Sequence, residues 1–108
     1  MQEQPLDDRI ILVYTNNIFE WDAEKAQSNA SKHSIRFEEA AEAFIDPDAL
    51  IAEDAAHSQE ERREWLIGET SMGRLIVAVF TVRPGSSIRM ISARPAGRKE
   101  RLQYEKNR

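Results

Sequence analysis

Residues 73–94 read GRLIVAVFTVRPGSSIRMISAR, and this stretch decides the fold. Two apolar runs rich in Val and Ile are joined by Arg83-Pro84-Gly85-Ser86, so the pattern is strand, turn, strand. In the first run Leu75, Val77 and Val79 alternate with Ile76, Ala78 and Phe80. Both sets are apolar, which predicts a central strand covered on two sides. Arginines frame the hairpin at Arg74, Arg83, Arg89 and Arg94. Strict alternation groups Arg94 with Ile88, Met90 and Ser92 and groups Arg89 with Ile91 and Ala93, so the two arginines are expected on opposite faces. Arg83 continues the face of Leu75, Val77 and Val79.

Working backwards, Gly68 to Gly73 is a turn, Arg63 to Glu69 the preceding strand, residues 54–61 a charged loop, and residues 49–53 a further strand. Asp46-Pro47 stops a helix that begins at Phe37. In that helix Phe37, Ala40, Ala41 and Phe44 form one core-facing stripe, with Glu38, Glu39 and Glu42 expected toward water. Before it, Asp22 is placed to cap a helix running to about His33, whose only apolar face is Ala23, Ala26 and Ala30. Small residues let that helix lie close to the sheet. Ile18 to Trp21 and Ile10 to Tyr14 are short strands around a Thr15-Asn16-Asn17 turn, the latter suited to a sheet edge, and residues 1–9 are a loose polar end. Working forwards, Pro95 to about Lys106 reads as a closing helix with Pro95 in its first turn. A chain of 108 residues with no internal repeat or linker is one domain, 1–108, with 1–17 as an extension or edge strand. The class is α+β: a small antiparallel sheet, two helices ahead of most of it, and a C-terminal helix.

Composition narrows the chemistry. There is no cysteine and only two histidines, His33 and His57, so no disulfide and no protein-built zinc site is expected. Neither a membrane-spanning run nor a signal peptide is evident, and a cytoplasmic protein without a membrane partner is expected. The net charge of −4 argues against a nucleic-acid binder until its distribution is read. Residues 83–108 carry eight Lys/Arg against two Asp/Glu, a balance of +6, whereas residues 1–82 balance at −10. The basic third has three possible faces: RNA, an acidic partner, or the protein's own acidic half.

No phosphate-binding glycine loop, HExxH or nucleophile elbow is present. The remaining polar chemistry is Lys32-His33 at a helix end, His57 in the charged loop, Arg62-Arg63 at a strand start, and the hairpin arginines. Each has a plain reading as well as a functional one. His33 complements the negative end of a helix, and an arginine at a strand end is more often a solvated charge than a catalyst. Cleavage of RNA by its own 2′-hydroxyl suits such a set, because it needs a base, an acid and positive charge beside the phosphate, with no cofactor. Binding phosphate without cleaving it needs the same residue types.

A longer pattern adds to this. Phe19-Glu20-Trp21-Asp22, Lys25, Asn29, Lys32-His33, Ile35, Phe37-Glu38-Glu39-Ala40, Phe44 and Asp46-Pro47 resemble the opening of the BrnT toxin family. Asp54, His57-Ser58, Glu61, Arg63, Ile67-Gly68, Gly73-Arg74, Arg89, Ile91-Ser92-Ala93-Arg94, Ala96 and Glu100-Arg101 continue it to about Tyr104. The resemblance implies a RelE-like fold and a metal-independent ribonuclease toxin of a type II toxin–antitoxin pair that inhibits translation. The implied partners are RNA and a BrnA-like antitoxin, in a heterotetramer that binds operator DNA through the antitoxin. It raises Lys32, His33, His57, Arg63, Arg74 and Arg94 as catalytic candidates, with the three arginines at the scissile phosphate and His33 or His57 moving protons. Arg83, Arg89, Arg98, Lys99 and Arg101 are candidates for holding RNA, and Glu20 is a weaker candidate base. The alternative is a relative that binds RNA or a partner without turnover. Two positions depart from the family: Ser34 stands where glycine is usual and Arg36 where serine is, with Ser34 expected to cap the helix junction.

Overall fold

In a computed structural model, which describes residues 9–57 and 61–108, the hairpin of 73–94 occupies the middle of a six-stranded sheet. The elements in chain order are β1 (Arg9–Tyr14), β2 (Asn17–Asp22), α1 (Ala23–His33), α2 (Phe37–Glu42), β3 (Leu50–Glu53), β4 (Glu64–Glu69), β5 (Leu75–Val82), β6 (Ile88–Pro95) and α3 (Arg98–Lys106). The sheet order is β1-β2-β6-β5-β4-β3. Of the loose end expected over residues 1–9, residues 1–8 lie outside the described residues, as do residues 58–60 of the charged loop, while Arg9 already begins β1.

The sheet is mixed, which corrects the antiparallel expectation. Strands β3 to β6 form an antiparallel meander, but β6 meets β2 in parallel through Phe19 opposite Ile88 and Glu20 opposite Arg89. Alternation marks which face a residue takes and carries no mark of strand direction, which depends on where α1 and α2 return the chain.

A β-bulge corrects a second expectation. Along the β5–β6 pair the register steps from Val79 opposite Ser92 to Phe80 opposite Met90, so Ile91 has no partner. One extra residue inverts the alternation beyond it. Arg94, opposite Val77, and Arg89, opposite Thr81, therefore share one face of the sheet. The turn between these strands is of the Pro-Gly kind, with Gly85 at φ 87 and Ser86 N–H donating to Arg83 O at 2.9 Å.

Both faces of β5 are covered, by different layers. On one side α1 and α2 close a core of Phe19, Trp21, Phe37, Ile76, Phe80 and Met90, in which Phe44 packs edge-on against Phe19 and Phe80 at 5.1 and 5.0 Å. The α2 stripe appears as read, finishing in a 3-10 turn over Ala43–Ile45. Gly68 lets β4 approach that turn, since a Cβ there would stand 2.8 Å from Ala43 O. On the other side α3 lays Tyr104 over Ile67, Leu75 and Val77. Tyr104 donates to Asp46 Oδ2 at 2.7 Å, and burial together with that bond pushes its hydroxyl pKa up to about 12. Asp46 also accepts from the backbone N–H of Asp48 and Glu69, so one carboxylate ties α3, β4 and the α2–β3 connection.

Helix α3 starts later than expected. Pro95 is the last residue of β6, opposite Ile76, and Ala96 N–H still donates to Leu75 O, so strand pairing outlasts the proline. Gly97 is the N-cap, and its N–H donates to Glu100 Oε1 at 2.6 Å. Ser34 does not cap α2. It ends α1 in the left-handed conformation at φ 60, where glycine is usual, and Arg36 precedes α2 without a side-chain cap bond. No described helix is long and apolar enough to cross a membrane.

Candidate functional site

Nine residues of α3 cannot cover a sheet face six strands wide. Beyond Tyr104 the face opens into a groove of about 510 Å³ whose floor includes Trp65, Val77 and Val79 and whose wall includes Arg94, Lys99 and Glu100. Arg94 stands on β6 and reaches Glu100 in the first turn of α3 through two bonds, at 2.9 and 2.6 Å. The guanidinium hydrogen bonds, with backbone Gly97 adding to them, hold the Glu100 carboxyl below its usual range, and the same pairing raises Arg94. The Arg94 side chain is still 43% exposed, so the pair lines the groove instead of filling a core.

A second groove, of about 220 Å³, runs along the other side of β6. Strand β2 leaves β6 after Glu20 on its way to α1, so among the described residues the β6 edge from Ile91 onward has no strand neighbour. Helix α1 lies along that edge and presents Lys25, Ser28, Lys32 and His33, residues spaced to share one helix face. Asn29 makes the junction. It is buried, its Nδ2 donates to Ala93 O at 2.8 Å and to Ile35 O at 3.1 Å, and its Oδ1 accepts from Ala93 N–H at 3.1 Å. One amide thus replaces a missing strand on β6. A polar residue between Ala26 and Ala30 on an otherwise apolar helix face was the signal for this role.

The candidates divide accordingly. Lys32 and His33 sit in the α1 groove, while Arg94 and Lys99 sit in the α3 groove, with β6 between them. Arg89 is on the same sheet face as Arg94, opposite Glu20, whose carboxylate accepts from Ser87 Oγ at 2.9 Å. Arg63 precedes β4, half-buried, and its backbone O accepts from Asp54 N–H at 2.8 Å. Asp54 lines the α3 groove, and the 3-10 turn Ala55–His57 follows it directly, which brings the His57 backbone to the same end of the sheet. Arg83 lies 4.0 Å from Glu61, and Arg98, Lys99 and Arg101 are exposed on α3.

Arg74 is not brought to either groove. Its Nε donates to Glu39 Oε2 at 2.8 Å, its Nη2 to Glu39 Oε1, and the same Nη2 to Ser34 O at 2.9 Å. Glu39 also accepts from Thr70 Oγ1, and these bonds, that to Arg74 foremost, hold its carboxyl below the usual range. Glu39 is therefore not a solvent-facing residue, which corrects the expectation for it, and Glu42 likewise accepts from Ser71 N–H and Oγ. The clamp fixes the carbonyl that follows His33. Asp22 caps α1 as read, accepting from Glu24 N–H at 2.8 Å, and Trp21 is buried edge-on against Phe37 at 5.6 Å. Among the described residues no cluster of three or more acidic or imidazole groups is placed to hold a metal ion.

Residues 21–100 match the family described as ribonuclease toxin, BrnT, of type II toxin-antitoxin system. The 1.1 Å crystal structure of the Brucella abortus ribonuclease toxin, BrnT, is similar at a TM-score of 0.57 and 25% identity, over 72% of this chain and 94% of that one. A comparison with curated proteins finds no match. The matched residues take in the α1 groove and all of the α3 groove's lining but Gln103, and leave β1 outside.

Proposed function

This chain belongs to the BrnT family of ribonuclease toxins of type II toxin–antitoxin systems, and from that premise we propose that it cleaves RNA without a metal ion, at the two grooves flanking β6. Family membership makes RNA the substrate and an antitoxin the protein partner. The observation that carries the catalytic reading is the placement of Lys32 and His33 on one side of β6 and Arg94, with Arg89, on the other.

The 2′-oxygen of one nucleotide attacks its own phosphorus, the P–O5′ bond breaks, and a 2′,3′-cyclic phosphate forms. The 2′-hydroxyl proton goes to a base and the departing 5′-oxygen takes a proton from an acid. His33 or His57 serves this proton transfer, with Lys32 assisting. Arg94 and Arg63 stabilise the charge that develops on the phosphate. Arg74, occupied by Glu39 and Ser34 O, acts as a positioning residue for the end of α1. Arg83, Arg89, Arg98, Lys99 and Arg101 guide the strand of RNA. A BrnA-like antitoxin neutralises the toxin, in a heterotetramer that binds operator DNA through the antitoxin, and free toxin inhibits translation in the cytoplasm.

One observation favours a binding module without turnover: Arg94 is held by Glu100 and is not poised as a free cation. Incubating the partner-free, folded protein with RNA in EDTA separates the readings. Cleavage to 2′,3′-cyclic ends that is lost in His33→Ala supports the enzyme; intact RNA overturns it.

A further inference from the structure

We propose that Trp65 forms the floor of a seat for one unstacked base of single-stranded RNA in the groove beside α3, a reading that rests on RNA being the substrate. Trp65 lies opposite Val79 on the face that carries Arg94. One step along the same strands, Ile67 and Val77 are buried beneath Tyr104, whereas Trp65 and Val79 remain half-buried because α3 covers only one end of the face. Every other tryptophan or phenylalanine that packs in this protein does so on the α1–α2 side, where Trp21 is 2% exposed. Trp65 alone offers an indole to the groove.

The surroundings fit a nucleotide in particular. An aromatic face beside Val79 accepts the flat surface of any base, and base–aromatic stacking tolerates sequence. Lys99 and Gln103 of α3 stand on the wall, the first for a phosphate and the second for a polar base edge. The helix that supplies them also exposes Arg98 and Arg101, within a segment whose charge balance is +6, and an anionic chain complements it. A base held here lies on the same sheet face as Arg94 and Arg89, so it registers the phosphate next to it against those cations. Trp65 is then a positioning residue, expressed in which bond is cut and in KM, while protons move elsewhere.

The test uses the full chain and a mixed-sequence RNA carrying 2′-O-methyl groups, which binds and is not cleaved. Saturable quenching of indole emission is expected, with Trp21 as the shielded background, and the quenching disappears in Trp65→Phe. Trp65→Ala is expected to weaken RNA binding by about 5- to 100-fold, measured by anisotropy of labelled RNA, while Trp65→Phe stays within about threefold. On cleavable RNA, Trp65→Ala raises KM and blurs the cleavage pattern with little change in kcat. Binding without quenching, or equal quenching by a duplex of the same sequence, overturns the seat and leaves the nuclease reading standing. Quenching by the methylated RNA with no cleavage of ordinary RNA supports the seat and overturns the nuclease reading. An absence of both binding and cleavage overturns the two together.

Discussion

Replacing Asn29 by leucine removes an amide and keeps nearly its size. The wild-type side chain is 7% exposed and makes three bonds to backbone, two to Ala93 and one to Ile35. Each buried backbone group left without a partner costs about 1–3 kcal/mol. The neighbouring groove admits water to part of this edge, so the low end applies, and the total expected is about 2–4 kcal/mol. With a urea m-value of about 2 kcal/mol/M the unfolding midpoint falls by about 1–2 M. Asn29→Asp makes the reasoning sharper. It keeps the acceptor for Ala93 N–H but turns a carboxylate on the carbonyls of Ala93 and Ile35, which favours the protonated form and raises the folded-state pKa. A raised folded pKa means that the native state binds more protons, so the variant gains stability as pH falls toward its unfolded value. Equilibrium urea unfolding from pH 7 to 4.5 checks both. A loss below about 0.5 kcal/mol in the leucine variant, or an aspartate variant indifferent to pH, refutes the idea that one amide stands in for a strand.

Four further outcomes are expected. Ser34→Gly relieves a left-handed residue and stabilises by about 0.5–1 kcal/mol in the same assay, because the strain relieved outweighs the added chain freedom. Glu39 has a lowered carboxyl pKa, so its pairing stabilises the fold above the ordinary value of 4.5 and that contribution is lost as pH falls below it; Arg74→Ala removes about 1 kcal/mol at pH 7, the guanidinium being 39% exposed, and flattens the acid limb of the stability curve. Gly68→Ala forces a Cβ against Ala43 O and costs about 1–3 kcal/mol, with unfolding midpoints as the measure. Glu100→Gln keeps the cap on Gly97 and removes the negative charge and one of the two bonds that hold Arg94, so the affinity for methylated RNA rises and its salt dependence steepens.

Sequence made the central strand, the α2 stripe and the Asp22 cap legible because each is a local pattern: alternation, a period near 3.6, and a carboxylate before free N–H groups. The site was less legible because it depends on relations between distant segments. Arg89 and Arg94 were assigned opposite faces by an alternation rule that holds only without a bulge, and nothing in Met90-Ile91-Ser92 announces one. Pro95 looked like the start of a helix because proline favours that position, yet two more residues of strand pairing were available to it. Glu39 was expected toward water and Arg74 at the scissile phosphate, and the two stand 35 residues apart in sequence. Their pairing follows from the β4–β5 turn folding onto the α1–α2 junction, which no pattern near either residue encodes. Family resemblance raised Lys32, His33 and Arg94 as candidates but carried no information on the half-open groove, which depends on where α3 stops.

The placement of β6 accounts for why these features occur together. A strand inside an antiparallel sheet is covered along both edges, but β6 meets a parallel neighbour for only two residue pairs before that neighbour turns into α1. The freed edge is where a helix with small residues can approach, and it is what places Lys32 and His33 beside the strand that holds Arg94. The bulge at Ile91 lies within the same free stretch, where no neighbouring strand resists an extra residue, and it turns Arg89 to the side of Arg94. Asn29 then has to satisfy the backbone left open at Ala93. The parallel pairing, the bulge and the buried amide are thus consequences of one topological choice, and the same choice brings imidazole and guanidinium to opposite sides of a single strand.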